Sequence, residues 1–293
     1  MNRRAFLTAA AACSAISAST QWPARAQSLP RFYEAASYSA ERGGASFLVA
    51  RHGVVLAEEY PGGNAAQRWP IGAGTRSFLP VLAATLAEDR LLRLDEAVAM
   101  TLGDWGADPV KSSISLRMLL NGTSGIAFSR RGPTDLATAL TLQPAQNPGA
   151  EFSDDAAPCV LMAEIARRKL ADSGRTSDPA QYLTDRTLGP IGCTPIGWTR
   201  TADGAPRLDD GAVVSARGWA QVGELIAREG VWRAQQLVDD NVMREAMQGS
   251  FAEARAGIGL WLARPGRTRD DPGADSDLWR ANSPAPADLA MAA

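Results

Sequence analysis

Histidine is nearly absent from this chain, and lysine is almost as scarce. His52 is the only histidine among 293 residues, and Lys111 and Lys169 are the only lysines. A single histidine cannot furnish an H-E-x-x-H zinc site, and a Ser-His-Asp or Cys-His centre would have to recruit His52. That residue stands beside Gly53 between two apolar-rich stretches, where a solvated hairpin turn accounts for it. There is no G-x-S-x-G elbow and no Gly-Lys-Ser/Thr phosphate loop. Asp108 and Ala166 stand three residues before the two lysines, so no S-x-x-K occurs either.

Long apolar runs are missing too. None reaches the 18 or so residues that would span a bilayer. No basic block occurs, and this excludes nucleic acid and anionic membrane as natural partners. What the sequence does have begins with an export signal, residues 1–26. Arg3-Arg4 precede an Ala/Ser-rich apolar run, and Ala24-Arg25-Ala26 offers an A-x-A cleavage site, a pattern of twin-arginine type. A membrane anchor fits less well because the run is short, and a lipoprotein signal through Cys13 less well because alanines precede it. The expected location is periplasmic or secreted. Removing Arg3, Arg4 and Arg25 from the 30 basic residues leaves 27 against 32 acidic ones, a net charge of −5. Cys159 and Cys193 remain in the mature chain; they are read as two buried free thiols rather than a pair, although an oxidising compartment would permit pairing.

Residues 27–293 show no repeat and no linker, so one domain is expected. Ala45–Arg51 and Val54–Tyr60 read as a β-hairpin turning at His52-Gly53. Apolar residues at 78, 79, 82, 83 and 86 predict a helix over Phe78–Leu92, with Ser77 as its cap and Pro80 in its first turn. Further helices are expected at Ser113–Leu120, Ala157–Leu170 and Ala216–Glu229, the last capped by Ser215 and closed by Gly230. Gly257–Ala263 reads as a strand, Arg264–Asp277 as a charged Gly/Pro loop, and Asp288–Ala293 as the start of something extended. A hairpin first, helices in the middle and strands last predict an α+β domain whose sheet joins both ends of the chain.

Several stretches, in order, resemble the serine β-lactamase-related hydrolases: class C β-lactamases, penicillin-binding D-Ala-D-Ala carboxypeptidases, esterases and 6-aminohexanoate-dimer hydrolases. They are Trp69-Pro-Ile-Gly-Ala-Gly-Thr-Arg-Ser-Phe78, Leu91-Leu-Arg-Leu-Asp-Glu-Ala97, Ile114-Ser-Leu-Arg-Met-Leu-Leu-Asn-Gly-Thr-Ser-Gly-Ile126, Pro148-Gly-Ala-Glu-Phe152 and Leu188-Gly-Pro-Ile-Gly192. Gly211-Ala-Val-Val-Ser-Ala-Arg-Gly-Trp-Ala-Gln-Val-Gly223 and Gly257-Ile-Gly-Leu-Trp261 complete the series. The resemblance implies a β-lactamase/transpeptidase-like fold, an antiparallel sheet flanked by helices. It also implies an acyl-enzyme mechanism: a serine of S-x-x-K attacks, the lysine helps remove its proton, a tyrosine assists, and a K-T-G or H-x-G strand contacts the oxyanion.

Mapped onto this chain, the serine position holds Ala73, the lysine position Arg76, the tyrosine position Asp154 and the later asparagine-like position Ala156. A methyl group cannot attack, and a guanidinium stays protonated and cannot act as a base. The third motif strand is expected near Met291-Ala-Ala293, so the two strands and helix that would follow it are expected to be missing.

Among replacements, Ser77 is the one alternative nucleophile, with no lysine or histidine placed to activate it. Ser124 reads as turn architecture and Cys159 as a core residue. Asp154-Asp155 reads as a solvated loop rather than a catalytic carboxylate pair, because neighbouring side chains point apart. Arg76 and Asp154 are expected to face one cleft and to close it with a salt bridge. No cofactor or metal is expected; the partner would be a small molecule or peptide in the old cleft. The leading functional reading is an exported, catalytically inactive homologue. Its alternatives are a weak hydrolase of ester, amide or β-lactam bonds and a truncated, non-functional fragment.

Overall fold

The computed structural model describes residues 30–129, 134–262 and 290–291. The export segment with Cys13, and the stretch Arg264–Asp277, lie outside these residues. The chain opens with α1 (Pro30–Glu41) and the expected hairpin, β1 (Phe47–Arg51) and β2 (Val54–Glu59), paired antiparallel from Phe47↔Glu59 to Arg51↔Val54. His52 and Gly53 take φ of 50° and 75°. Two left-handed residues in a row give a two-residue turn the twist of its flanking strands.

β3 (Arg68–Pro70) leads into a 3₁₀ turn, Gly72–Ser77, which runs directly into α2 (Phe78–Glu88). Every residue from Phe78 to Leu86 is buried, so α2 is a core helix, apolar all round, and not an amphipathic one. Pro80 sits in its first turn as expected. The helix ends at Glu88, four residues earlier than the pattern predicts: Arg90 turns left-handed at φ 60°, and the Leu91 amide closes back onto the Leu86 carbonyl at 2.8 Å. Ser77 does not cap α2. Its backbone is already helical, because the 3₁₀ turn precedes it, and its hydroxyl donates to the Gly74 carbonyl at 2.7 Å.

The middle of the chain is helical: α3 (Leu116–Leu120), α4 (Leu136–Thr141), α5 (Ala157–Asp172), α6 (Pro179–Leu183) and the short α7 (Gly189–Ile191) after a π-helical turn at Thr184–Leu188. Ser115, Asp135 and Asp178 cap α3, α4 and α6 by accepting from amides of the first turn. Next come β4 (Gly197–Trp198), β5 (Ala212–Ser215) and α8 (Ala216–Ala227), with Ser215 capping α8 as expected through the Gly218 amide at 3.1 Å. β6 (Val231–Trp232), β7 (Gln235–Gln236), α9 (Asp240–Ala246), β8 (Trp261–Leu262) and β9 (Ala290–Met291) complete the described elements.

Among the described residues all strand pairs are antiparallel, in pieces ordered β1-β2, β3-β5-β4, β6-β7 and β8-β9. The α+β class is therefore as expected. Among the described residues the β1-β2 hairpin pairs only with itself; most of the C-terminal stretch expected to join it lies outside them. Gly257–Leu260 is a turn and not strand, closed by the Gly257 amide on the Leu260 carbonyl at 2.9 Å with Gly259 at φ 64°. α2 packs against α6, α8 and α9, α8 leans on β1, and α5 lies against α3, α4 and α6. Among the described residues no helix is long and apolar enough to cross a membrane.

Candidate functional site

The turn before α2 is tied down on two sides. The Ile71 amide donates to the Ala212 carbonyl at 3.1 Å, and the Thr75 hydroxyl accepts from the Ala212 amide at 3.0 Å, fastening the turn to β5. On the other side the Trp219 indole of α8 donates to the Ser77 hydroxyl at 2.9 Å. Its ring lies so near Gly74 that a Cβ there would come within 2.8 Å of it. Ala73 stands exposed on this turn, a methyl group at its surface. Ser77 is buried, with its proton committed to Gly74 and its oxygen to Trp219.

Arg76 leaves the same turn and forms an ion pair through Nη1 with Oδ1 of Asp154. The loop before α5 delivers that carboxylate by two devices. The Ser153 amide donates to the Gly122 carbonyl at 2.9 Å, while Asp155 accepts from the amides of Phe128 (3.0 Å) and Ala157 (2.8 Å). Asp155 is thus held inward as a loop-to-helix tie, and Asp154 is left pointing at Arg76. The two neighbouring carboxylates do point apart, as expected. Asp155 is half-buried and bonded to backbone instead of solvated. Ala156 stands at the cap position of α5.

Cys159, in the first turn of α5, lines the floor of the same cleft. Burial pushes its thiol up to about 12, so it stays protonated at neutral pH. Cys159 and Cys193 are both free and buried, as the sequence suggests. Phe152 meets Trp261 edge to face at 5.6 Å, closing the cleft's far wall. β9 lies beside that wall, with Met291 opposite Trp261 in the ladder. The space left between these groups, with Asp154 standing in it, is a cavity of about 50 Å³.

The remaining sequence candidates are structural. Ser124 is buried and accepts from the Ile126 amide at 3.2 Å, a turn contact. Lys111 packs over the Trp105 ring and donates to the Leu140 carbonyl at 3.2 Å; burial draws its ammonium below its ordinary pKa. Lys169 pairs with Glu96. His52 is exposed at the hairpin tip. Among the described residues no group of three or more His, Cys, Asp or Glu is placed to hold a metal ion.

Sequence reasoning gave Trp219, Thr75 and Gly259 no role. Gly259 could have been noticed from its Gly-x-Gly spacing, had Gly257–Leu260 been read as a turn. A Cβ on Gly259 would sit 2.2 Å from the Arg76 carbonyl oxygen, at a φ of 64°. Gly259→Ala is therefore expected to destabilise the fold by about 1–3 kcal/mol and to displace Arg76. A thermal melt checks it, and a midpoint unchanged within a degree would show that the turn is not wedged against Arg76.

The profile of the Beta-lactamase family matches residues 29–279. No curated protein matches the sequence. The structure is similar to that of a family VIII carboxylesterase, with a TM-score of 0.65 and 16% identity over 81% of this chain and 82% of that chain. A penicillin-binding protein homolog from Caulobacter crescentus gives 0.63 and 16%, over 81% and 82%. The octameric penicillin-binding protein homologue from Pyrococcus abyssi gives 0.59 and 17%, over 78% of this chain and 63% of that one, so the chain spans less than two thirds of its length. At these identities the likenesses speak for the fold alone. The profile covers most of the chain, including the turn, the loop before α5 and Trp261: the chain belongs to the Beta-lactamase family.

Proposed function

We propose that this chain is an exported, periplasmic or secreted member of the Beta-lactamase family that has given up hydrolysis and keeps its cleft as a binding site for a small molecule or peptide. The observation that carries this reading is the Arg76–Asp154 ion pair. It occupies the two positions where the family resemblance places a lysine base and a tyrosine, beside an Ala73 methyl where it places the attacking serine. None of the three can do its counterpart's work. A guanidinium is no general base, Asp154 is spent on Arg76, and a methyl group has no lone pair.

A fluorophosphonate probe and a fluorescent penicillin, each followed by intact-mass measurement, test the reading. No adduct is expected over hours at neutral pH. Covalent labelling that vanishes in Ser77→Ala would overturn it in favour of a weak hydrolase working through Ser77. The position of Ser77 speaks against that alternative, since an attacking oxygen would first have to release both Gly74 and Trp219.

A further inference from the structure

We propose that the Arg76 guanidinium is a carboxylate-binding site, that Asp154 is its built-in occupant, and that a small organic monocarboxylate displaces Asp154 to bind there. This rests on the binding-site reading above and gives it a ligand class.

The Arg76 side chain is only 20% exposed, and its Nε is buried with no hydrogen-bond partner, although Nη1 meets Asp154. A guanidinium offers adjacent donors in a fork that fits both oxygens of one carboxylate. Asp154 uses the fork at one point only, one oxygen on one nitrogen. A buried donor left unmade is costly, so a ligand that engages Nε as well as Nη1 gains what the internal carboxylate leaves.

Asp154 is also easy to dislodge. Its side chain is 48% exposed, and the loop is pinned at both neighbours, Ser153 and Asp155, so a rotation of the side chain alone carries it to solvent without disturbing α5. An exposed carboxylate loses little on returning to water. Leu79, Phe152, Leu260 and Trp261 give the cleft a largely apolar lining, interrupted by Asn121 and Asp155. They suit a carboxylate with a short hydrocarbon body better than an inorganic anion, which would leave them dry and uncontacted.

Titration calorimetry of the full chain with butyrate, with 1-butanol as the uncharged control, tests the proposal. Asp154→Asn keeps the shape and removes the competing charge; it is expected to bind butyrate at least tenfold more tightly than the parent chain. Arg76→Gln is expected to lose butyrate binding. Should Arg76→Gln fail to fold, the Arg76 Nε–Hε resonance in a ¹⁵N correlation spectrum of Asp154→Asn gives the same answer, and it is expected to move on adding butyrate. Equal butyrate affinity in Asp154→Asn and the parent, or an unmoved Nε resonance, would overturn the proposal. Butanol binding as well as butyrate would overturn the charge recognition while leaving a ligand-binding cleft. Covalent labelling by the hydrolase probes would instead sink the reading on which it rests.

Discussion

Replacing Asp89 by alanine should cost about 2–4 kcal/mol of stability, because one carboxylate accepts several hydrogen bonds, charge-assisted ones among them. Asp89 closes the C-terminus of α2, and its side chain is 10% exposed. It accepts from the Tyr182 hydroxyl at 2.8 Å and from Arg186 at 3.2 and 3.0 Å, and it forms an ion pair with Arg175. One carboxylate thereby joins α2 to α6, to the π-helical turn, and to the loop after α5. Without it two partly exposed guanidinium groups lose their shared counter-charge, and a largely buried phenol loses its shorter hydrogen bond. The melting midpoint should fall on the order of 10 °C for a domain of this size. A fall under 2 °C would mean that water or side-chain rearrangement replaces the carboxylate.

The same residue sets a pH dependence. Burial on its own would raise the Asp89 carboxyl, but the Tyr182 and Arg186 hydrogen bonds and the Arg186 and Arg175 charges outweigh it and hold it below its ordinary value. Glu58 is held low by the Arg217 hydrogen bond, and Glu164 by that of Arg167, in each case against burial. A carboxylate whose folded pKa is depressed stabilises the fold above its unfolded pKa, near 4, and that stability drains away as pH falls through the lower folded value. The parent chain should therefore lose stability below about pH 4. Asp89→Asn should show a shallower loss, so the gap between the two midpoints narrows from pH 7 to pH 3. A gap that stays constant would show that Asp89 is not a source of the acid sensitivity.

Phe78→Ala is the second large effect, about 3–5 kcal/mol by the usual cost of emptying a core aromatic site. Phe78 is 1% exposed, begins α2, and sets its ring edge to face on Trp198 of β4 at 5.4 Å. It is the packing link between the core helix and the three-stranded piece to which the Ala73–Ser77 turn is also tied. Phe78→Leu should recover most of the loss, since it refills most of the volume without the ring pairing. Denaturant unfolding measures both. A loss under 1 kcal/mol for the alanine variant would mean that the site collapses around the gap.

Local structure was legible wherever neighbouring residues decide it. The His52-Gly53 turn, Pro80 in the first turn of α2 and the Ser215 cap depend on contacts within four residues, and each stands where the pattern puts it. Two of the misreadings share one cause. Ser77 resembles a cap by position, but the 3₁₀ turn before it is held helical by Ala212 and Trp219, which lie about 140 residues away. Gly257–Leu260 has the composition of a strand and becomes a turn because its backbone is pressed against the Ala246 and Arg76 carbonyls. In both cases a distant partner overrides a local preference.

The site divides along the same line. Which atoms are present is a matter of sequence alone: a methyl at 73, a permanently charged guanidinium at 76 and a carboxylate at 154. The family resemblance placed the last two in one cleft. Whether they touch was decided by tertiary structure, because 78 residues separate them and the aim of Asp154 depends on Asp155 being pinned to Phe128 and Ala157. The unmatched Nε of Arg76 belongs to the fold alone, since only packing can bury a charged donor and leave it without an acceptor.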